Sequence, residues 1–188
     1  QSQQLAALNR IGQMVAATLE SSEVLATAVQ GIDQLLGIQL AGALMIEGGS
    51  QLRYHNLQSR SGPLPVTAVP AIPVGEGILG TVFQDHKAVI LNDTEGDSRF
   101  RAEIDAPPNF QVNTLIAAPL VVRGRPVGVI NAFNKIDGPF TEVDLDLFAS
   151  LASSISEAVE NAWLFTRIRQ RQQEMLESRN TLQALIDG

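Results

Sequence analysis

Between Thr141 and Gly188 the sequence contains neither glycine nor proline. Nothing in that stretch forces the backbone out of a helix, so Glu142 to about Ile186 reads as one continuous helix. At about 1.5 Å per residue it would reach about 65 Å, roughly twice the diameter of a small domain. Such a helix must project from whatever body the rest of the chain builds. Leu151, Ile155, Ala158, Ala162 and Phe165 give its first half a dense apolar face. Beyond Thr166 the apolar positions thin to Ile168, Met175 and Leu182 at seven-residue steps, with Leu164 and Leu185 in complementary places. That spacing is a thin coiled-coil seam.

The preceding segments alternate in period. Leu5, Leu8, Ile11, Val15 and Leu19 predict a helix over residues 3–20, and Ser22 reads as the N-cap of a second helix that carries Leu25, Ala28, Val29, Ile32, Leu35 and Leu36 to a stop at Gly37. Leu40 to Ile46 and Gln51 to Leu57 predict a hairpin about Glu47-Gly48-Gly49-Ser50. Pro63, Pro65, Pro70 and Pro73 deny residues 61–74 the donors of a central strand, which leaves loop with edge pieces. A short helix from Ile78 to Asp85 and a buried strand from Ala88 to Leu91 come next. Residues 92–110 are polar and interrupted by proline, a loop of functional length with a helical turn or two. Thr114 to Val122 and Pro126 to Phe133 form a second hairpin about Arg123-Gly124-Arg125. The elements read as α+β: helices at both ends of the chain about two antiparallel hairpins, with the last helix running on as a coiled coil.

Composition excludes several functions. Thirteen Lys and Arg against 20 Asp and Glu give a net charge of −7, which opposes nucleic acid and anionic membranes as partners. No window approaches a membrane span, and the first residues lack a secretory pattern, so a cytoplasmic location is expected. The absence of cysteine removes thiolate nucleophiles, zinc ribbons, iron–sulfur clusters and thioether-linked bilins. His55 and His86 have no supporting ligand cluster and read as surface or pocket-rim residues, so no metal site is expected. Ser98 and the Ser153-Ser154 pair have no histidine at motif spacing, and the chain is not expected to be an enzyme. Arg167, Arg169 and Arg171 read as the solvated face of the coiled coil.

Two motifs carry more information. Gly75-Glu76-Gly77-Ile78-Leu79-Gly80 matches a dinucleotide fingerprint, with Asp93 and Glu95 about 20 residues on. Prolines stand where a Rossmann unit needs a buried strand, however, and the helix that follows is too short for the crossover. It reads instead as a glycine-shaped loop whose helix start offers unpaired amides to a small ligand. The run from Asn134 to Asp144 reads as a helix start. Thr141 caps it, Asp144 completes a capping box and pairs with Lys135, and Phe140 staples onto Leu145.

Taken in order, Gly75 to Gly80, Ala88 to Asp93, Asp97-Ser98-Arg99-Phe100, Ala118-Pro119-Leu120 with Gly124 and Gly128, and Asn134-Lys135 through Phe140 and Asp144 resemble a GAF domain, the small-molecule sensing module of signalling proteins. The resemblance covers about Leu5 to Leu164 and implies a fold of the GAF/PAS type, a central antiparallel sheet with the N- and C-terminal helices packed on one face. It also implies a pocket on the face of the sheet opposite the terminal helices, closed by the short helix and long loop. Candidate walls and polar anchors are Ile78, Leu79, Phe100, Phe110, Val112, Asn113, Asn131 and Phe133. Asn131 is the odd residue in an apolar strand: it is either satisfied by a loop carbonyl, which is the expectation, or left for a ligand. Lys135, Phe140, Thr141 and Asp144 are assigned to structure. The pattern is similar to the cyclic-nucleotide-binding signature, but Leu145 stands where that signature has an acid. Pro108, Val112 and Asn131 stand where it offers Thr and Glu, which argues against cyclic AMP or GMP. The resulting expectation is a helix of a signalling bundle over residues 1–20, a GAF domain over 21–164, and a coiled-coil linker over 165–188 leading to an output domain. The whole would be a homodimer through its terminal helices that relays an unidentified small molecule to a kinase, cyclase or other output, as in two-component systems. The alternatives are a cyclic-nucleotide-binding domain and a ligand-free dimerisation spacer.

Overall fold

The structure, a computed structural model, describes residues 3–6 and 21–188. Residues 3–6 are helical, and the remainder of the helix expected over 3–20 lies outside the described residues. Helix α1 (Ser21–Leu36) already contains Ser22, which is therefore not its cap. The stripe Val24, Leu25, Ala28, Val29, Ile32, Leu35 and Leu36 is buried, and Gly37 ends the helix in the left-handed conformation (φ 64°) with its N–H donating to the Asp33 carbonyl.

Strands β1 (Ile38–Glu47) and β2 (Gln51–Ser59) form the first hairpin. The proline-rich segment contributes two-residue edge pieces, β3 (Gly62–Pro63) and β4 (Ile72–Pro73), both paired to β2. Helix α2 (Gly77–Asp85), β5 (Val89–Leu91) and the single turn α3 (Ala102–Asp105) precede the second hairpin, β6 (Leu115–Val122) and β7 (Arg125–Lys135). Arg123 and Gly124 both adopt positive φ, 52° and 77°, as the two-residue turn requires. The antiparallel sheet runs β3-β2-β1-β7-β6-β5, with β4 beside β2, so the two hairpins join through β1 and β7 at its centre.

The period of two then separates two cores. Ala41, Ala43 and Met45 of β1, Ile116, Ala118 and Leu120 of β6, and Ile130 and Ala132 of β7 pack beneath α1 and the last helix, α4 (Glu142–Asp187). Leu40 and Leu44, Leu115 and Ala117, and Val129 and Phe133 face the other way, toward α2 and the long loop. Helix α4 is 46 residues long, and its buried positions run from Asp144 to Ala162. Every residue from Phe165 onward is exposed, Ile168, Met175 and Leu182 among them.

The start of α4 is fixed as its residues predict. Thr141 Oγ1 accepts from the Asp144 N–H, the Thr141 N–H donates to Asp144 Oδ2, and Lys135 Nζ lies 2.5 Å from the same oxygen. Phe140 is buried in the core against which Leu145 packs. Asn134, the residue before Lys135, has a wider role. Its Oδ1 accepts from the N–H groups of Asn113 and Thr114, and its Nδ2 donates to Gln39 Oε1 and the Gln111 carbonyl. One side chain thus ties the returning end of the long loop to the sheet.

Candidate functional site

The face of the sheet opposite α4 carries α2 and the loop from Asn92 to Thr114. Helix α2 begins at Gly77 with φ 65°, and a Cβ there would lie 2.5 Å from Asp105 Oδ1. Only glycine admits that carboxylate, which then accepts from the N–H groups of Ile78 (2.9 Å), Leu79 (3.1 Å) and Arg101 (2.9 Å). The expected unpaired amides are therefore not free for a ligand. The chain supplies its own anion from α3, because the loop returns across the helix start. Burial pushes the Asp105 carboxyl above its usual range. The three amides oppose that shift, and neighbouring Glu103 adds to it.

A second polar contact lies on the sheet itself. Tyr54 projects from β2 across β1, and its ring covers Gly42, where a Cβ would come within 2.5 Å of the ring edge. Its hydroxyl accepts from Asn131 Nδ2 of β7 at 3.1 Å. Asn131 is paired with Gly42 in the sheet register, so the glycine is what lets the aromatic ring bridge three strands. Asn131 is thus held by a phenol and not by the loop carbonyl expected for it. Its Oδ1 finds no donor among the described residues, although the side chain is wholly buried. Burial drives the Tyr54 phenol well above its ordinary ionisation range, against the lowering effect of Asn131.

The eight expected wall residues separate into three groups. Ile78, Leu79, Asn131 and Phe133 are completely buried and close-packed. Phe100, Phe110 and Val112 border open space, and the rings of Phe110 and Phe133 lie 6.1 Å apart. Asn113 is exposed and engages Asn134 through its backbone, so it is not a wall residue. The space expected beneath α2 is occupied by side chains, and the accessible hollows flank it. One, of about 620 Å³, is bordered by Tyr54, Val69, Pro70, Asp105 and Phe110, and a second, of about 550 Å³, by Thr94, Glu95, Asp97, Phe100 and Val112. Carboxylates line both hollows, and no Lys, Arg or His among the described residues does. His86 lies instead at the C-terminal end of α2, in a groove beside α4. Among the described residues there is no cluster of His, Asp and Glu fit for a metal ion, and no helix long and apolar enough to cross a membrane.

Tyr54, Gly42 and Asp105 are the residues of the candidate site that the sequence reading did not single out. Tyr54 is the only tyrosine in the chain and sits on the core-facing phase of a strand whose neighbours Arg53 and His55 face solvent. That alternation was the available signal.

Over 101 residues the chain is 31% identical to a probable 3′,5′-cyclic phosphodiesterase of Caenorhabditis elegans, covering 54% of this chain and 14% of that protein. It is 28% identical over 112 residues to the α′ subunit of a cone cGMP-specific 3′,5′-cyclic phosphodiesterase of Mus musculus, covering 57% of this chain and 13% of the relative. The chain thus spans about one-seventh of the length of these relatives. Among solved structures, residues 122–287 of a methyl-accepting chemotaxis protein superpose with a TM-score of 0.71 at 20% identity, covering 82% of this chain and 97% of that one. A free methionine-R-sulfoxide reductase of Neisseria meningitidis, in complex with its substrate, superposes with a TM-score of 0.73 at 23% identity, covering 86% and 90%. This last match overturns the expectation that the chain is not an enzyme, since a working reductase is built on the same fold. A family model for the GAF domain matches residues 18–160. The chain belongs to the GAF domain family.

Proposed function

We propose that this chain is a regulatory sensor domain that dimerises through its terminal helices and relays small-molecule binding, on the loop-covered face of the sheet, to an output domain of a signal-transduction protein. The observation that carries the reading is the continuity of α4. The same helix is buried on the sheet as far as Ala162 and is exposed beyond Leu164, with Ile168, Met175 and Leu182 on one seven-residue seam. A projecting helix with an uncovered apolar seam is stabilised by a second copy. On this reading residues 21–164 form the sensor, 165–188 the coiled-coil linker, and the first 20 residues part of the same bundle.

A route between the two faces supports the reading. Asn131 faces the hollow side, while Ile130 and Ala132, its neighbours in β7, pack beneath α4. A ligand can bias the helices only by its differential affinity for two arrangements of them, and β7 is one of the strands that contribute to both faces. The Tyr54, Phe100, Phe110 and Val112 surfaces are the proposed contacts for the ligand. The packed interior beneath α2 and the acidic hollows favour neither cyclic AMP nor cyclic GMP. The test is mass by light scattering at tens of micromolar on the whole chain and on the chain ended after Leu164. A dimer for the first and a folded monomer for the second are expected, and a monomeric whole chain would contradict the reading.

A further inference from the structure

Resting on the proposed sensor function, we propose that Tyr54 is a built-in plug. The ligand it stands in for is an uncharged planar heterocycle whose edge carries a hydrogen-bond donor beside an acceptor. Three observations converge on this. First, the Tyr54 ring lies against the bare backbone of Gly42, a flat slot that a Cβ would close. Second, the far end of the slot is the Asn131 carboxamide, which is wholly buried and only half used: Nδ2 donates to the phenol, and Oδ1 has no donor among the described residues. A buried carbonyl without a donor is costly, and the phenol, placed against Nδ2, leaves Oδ1 without one. Third, Tyr54 borders the hollow of about 620 Å³ beside Val69, Pro70 and Phe110, which gives the ring somewhere to swing.

The chemistry of the slot names its guest. A carboxamide presents one donor and one acceptor side by side, and its complement is an acceptor beside a donor, as on a lactam or an amino-substituted azine. Such an edge satisfies both atoms of Asn131, where Tyr54 satisfies one. Its flat ring takes the place of the tyrosine ring over Gly42. Charge sets a further limit. Glu103 and Asp105 border the hollow and no cation among the described residues does, so a phosphate on the same ring is disfavoured. Displacing Tyr54 alters what bears on β7 at the strand where Ile130 and Ala132 support α4.

The test uses 9-methyladenine and 9-methylpurine, which differ only in the exocyclic amine donor, with cyclic AMP as the anionic counterpart of the same base. The whole chain is labelled with 3-fluorotyrosine, and the single tyrosine gives a single fluorine resonance. Titration with 9-methyladenine should move that resonance toward the solvent-exposed position. 9-Methylpurine and cyclic AMP should bind about tenfold or more weaker, and Asn131→Leu should lower 9-methyladenine affinity by a similar factor. Tyr54→Ala, which removes the plug, should bind 9-methyladenine more tightly than the natural chain. Equal binding of the two methylated bases, or 9-methyladenine binding untouched by Asn131→Leu in a chain with unaltered circular dichroism, would overturn the proposal. So would absence of binding to both the natural chain and the Tyr54→Ala variant. If the fluorine resonance stays fixed with these probes but moves on adding a compound that lacks the donor–acceptor edge, the proposed heterocycle is wrong and the sensor reading stands. The sensor reading itself is tested separately by the light-scattering comparison.

Discussion

The Asn92 carboxamide pairs in both directions with the backbone of Phe140: its Nδ2 donates to the Phe140 carbonyl at 2.9 Å and its Oδ1 accepts from the Phe140 N–H at 2.8 Å. Asn92 opens the long loop that borders the hollows, and Phe140 immediately precedes the capped start of α4. The pair thus joins the loop to the start of α4 without passing through the sheet. Asn92→Ala strands a carbonyl and an amide at that joint, and a loss of about 1–3 kcal/mol in urea unfolding is expected. Hydrogen exchange should rise in residues 92–100 and in the first turn of α4 together. Exchange raised in the loop alone would show that the two are not coupled there.

Asp144→Ala should lower stability by about 3 kcal/mol, well above the ~1 kcal/mol of a surface cap. The carboxylate is buried, completes the capping box and receives the Lys135 ammonium, which is itself largely covered, so removing it leaves a buried charge without its partner. Chemical denaturation of Asp144→Ala beside Lys135→Met checks this. A loss under 1 kcal/mol for Asp144→Ala would mean that the pair is solvated in solution.

Gly42→Ala places a methyl group inside the Tyr54 ring contact, and the overlap should cost about 1–3 kcal/mol. The same substitution should cost markedly less in a Tyr54→Ala background, where the ring is gone and only the Leu57 Cδ1 contact at 3.1 Å remains. Additive losses in this double-mutant cycle would show that the ring does not rest on Gly42.

Asp105 gives a pH dependence of defined sign. Burial raises its carboxyl above the unfolded value, so its contribution to stability is complete below the unfolded value, near pH 4, and is lost as pH rises through the folded one. Relative to Asp105→Asn, the natural chain should therefore gain stability as pH falls from 7 toward 4, as read by urea melts of both proteins. A relative gain with rising pH would mean that the three amides outweigh burial.

The legible parts of the fold were those governed by period and by local chemistry. The stripe of α1, both hairpins, the glycine-free run of α4 and the Thr141–Asp144 box each occupy a few consecutive turns or strands, where spacing alone dictates which face is buried. The prolines likewise marked β3 and β4 as edge pieces. The site was less legible because its contacts join residues remote in sequence. Tyr54 meets Asn131 only after β1 inserts between their strands, and Asp105 reaches Gly77 only when the long loop folds back. No motif surrounds either residue, so the glycine loop reads as an open anion site until the structure supplies its occupant. Asn113 was misplaced for a related reason: the local turn that presents its N–H to Asn134 leaves the side chain in solvent.

The central claim, that the hollow-bearing face of the sheet and a dimeric α4 act on one another, is tested most directly by a distance across the dimer. The chain has no cysteine, so Gln172→Cys can be spin-labelled alone on the exposed part of α4. Pulsed electron-spin dipolar measurement then reads the separation of the two labels with Tyr54 intact and with Tyr54→Ala. A defined interlabel distance that shifts or changes its distribution when Tyr54 is removed is the predicted result. No dipolar coupling at all, or an identical distribution in the two backgrounds, would contradict the account.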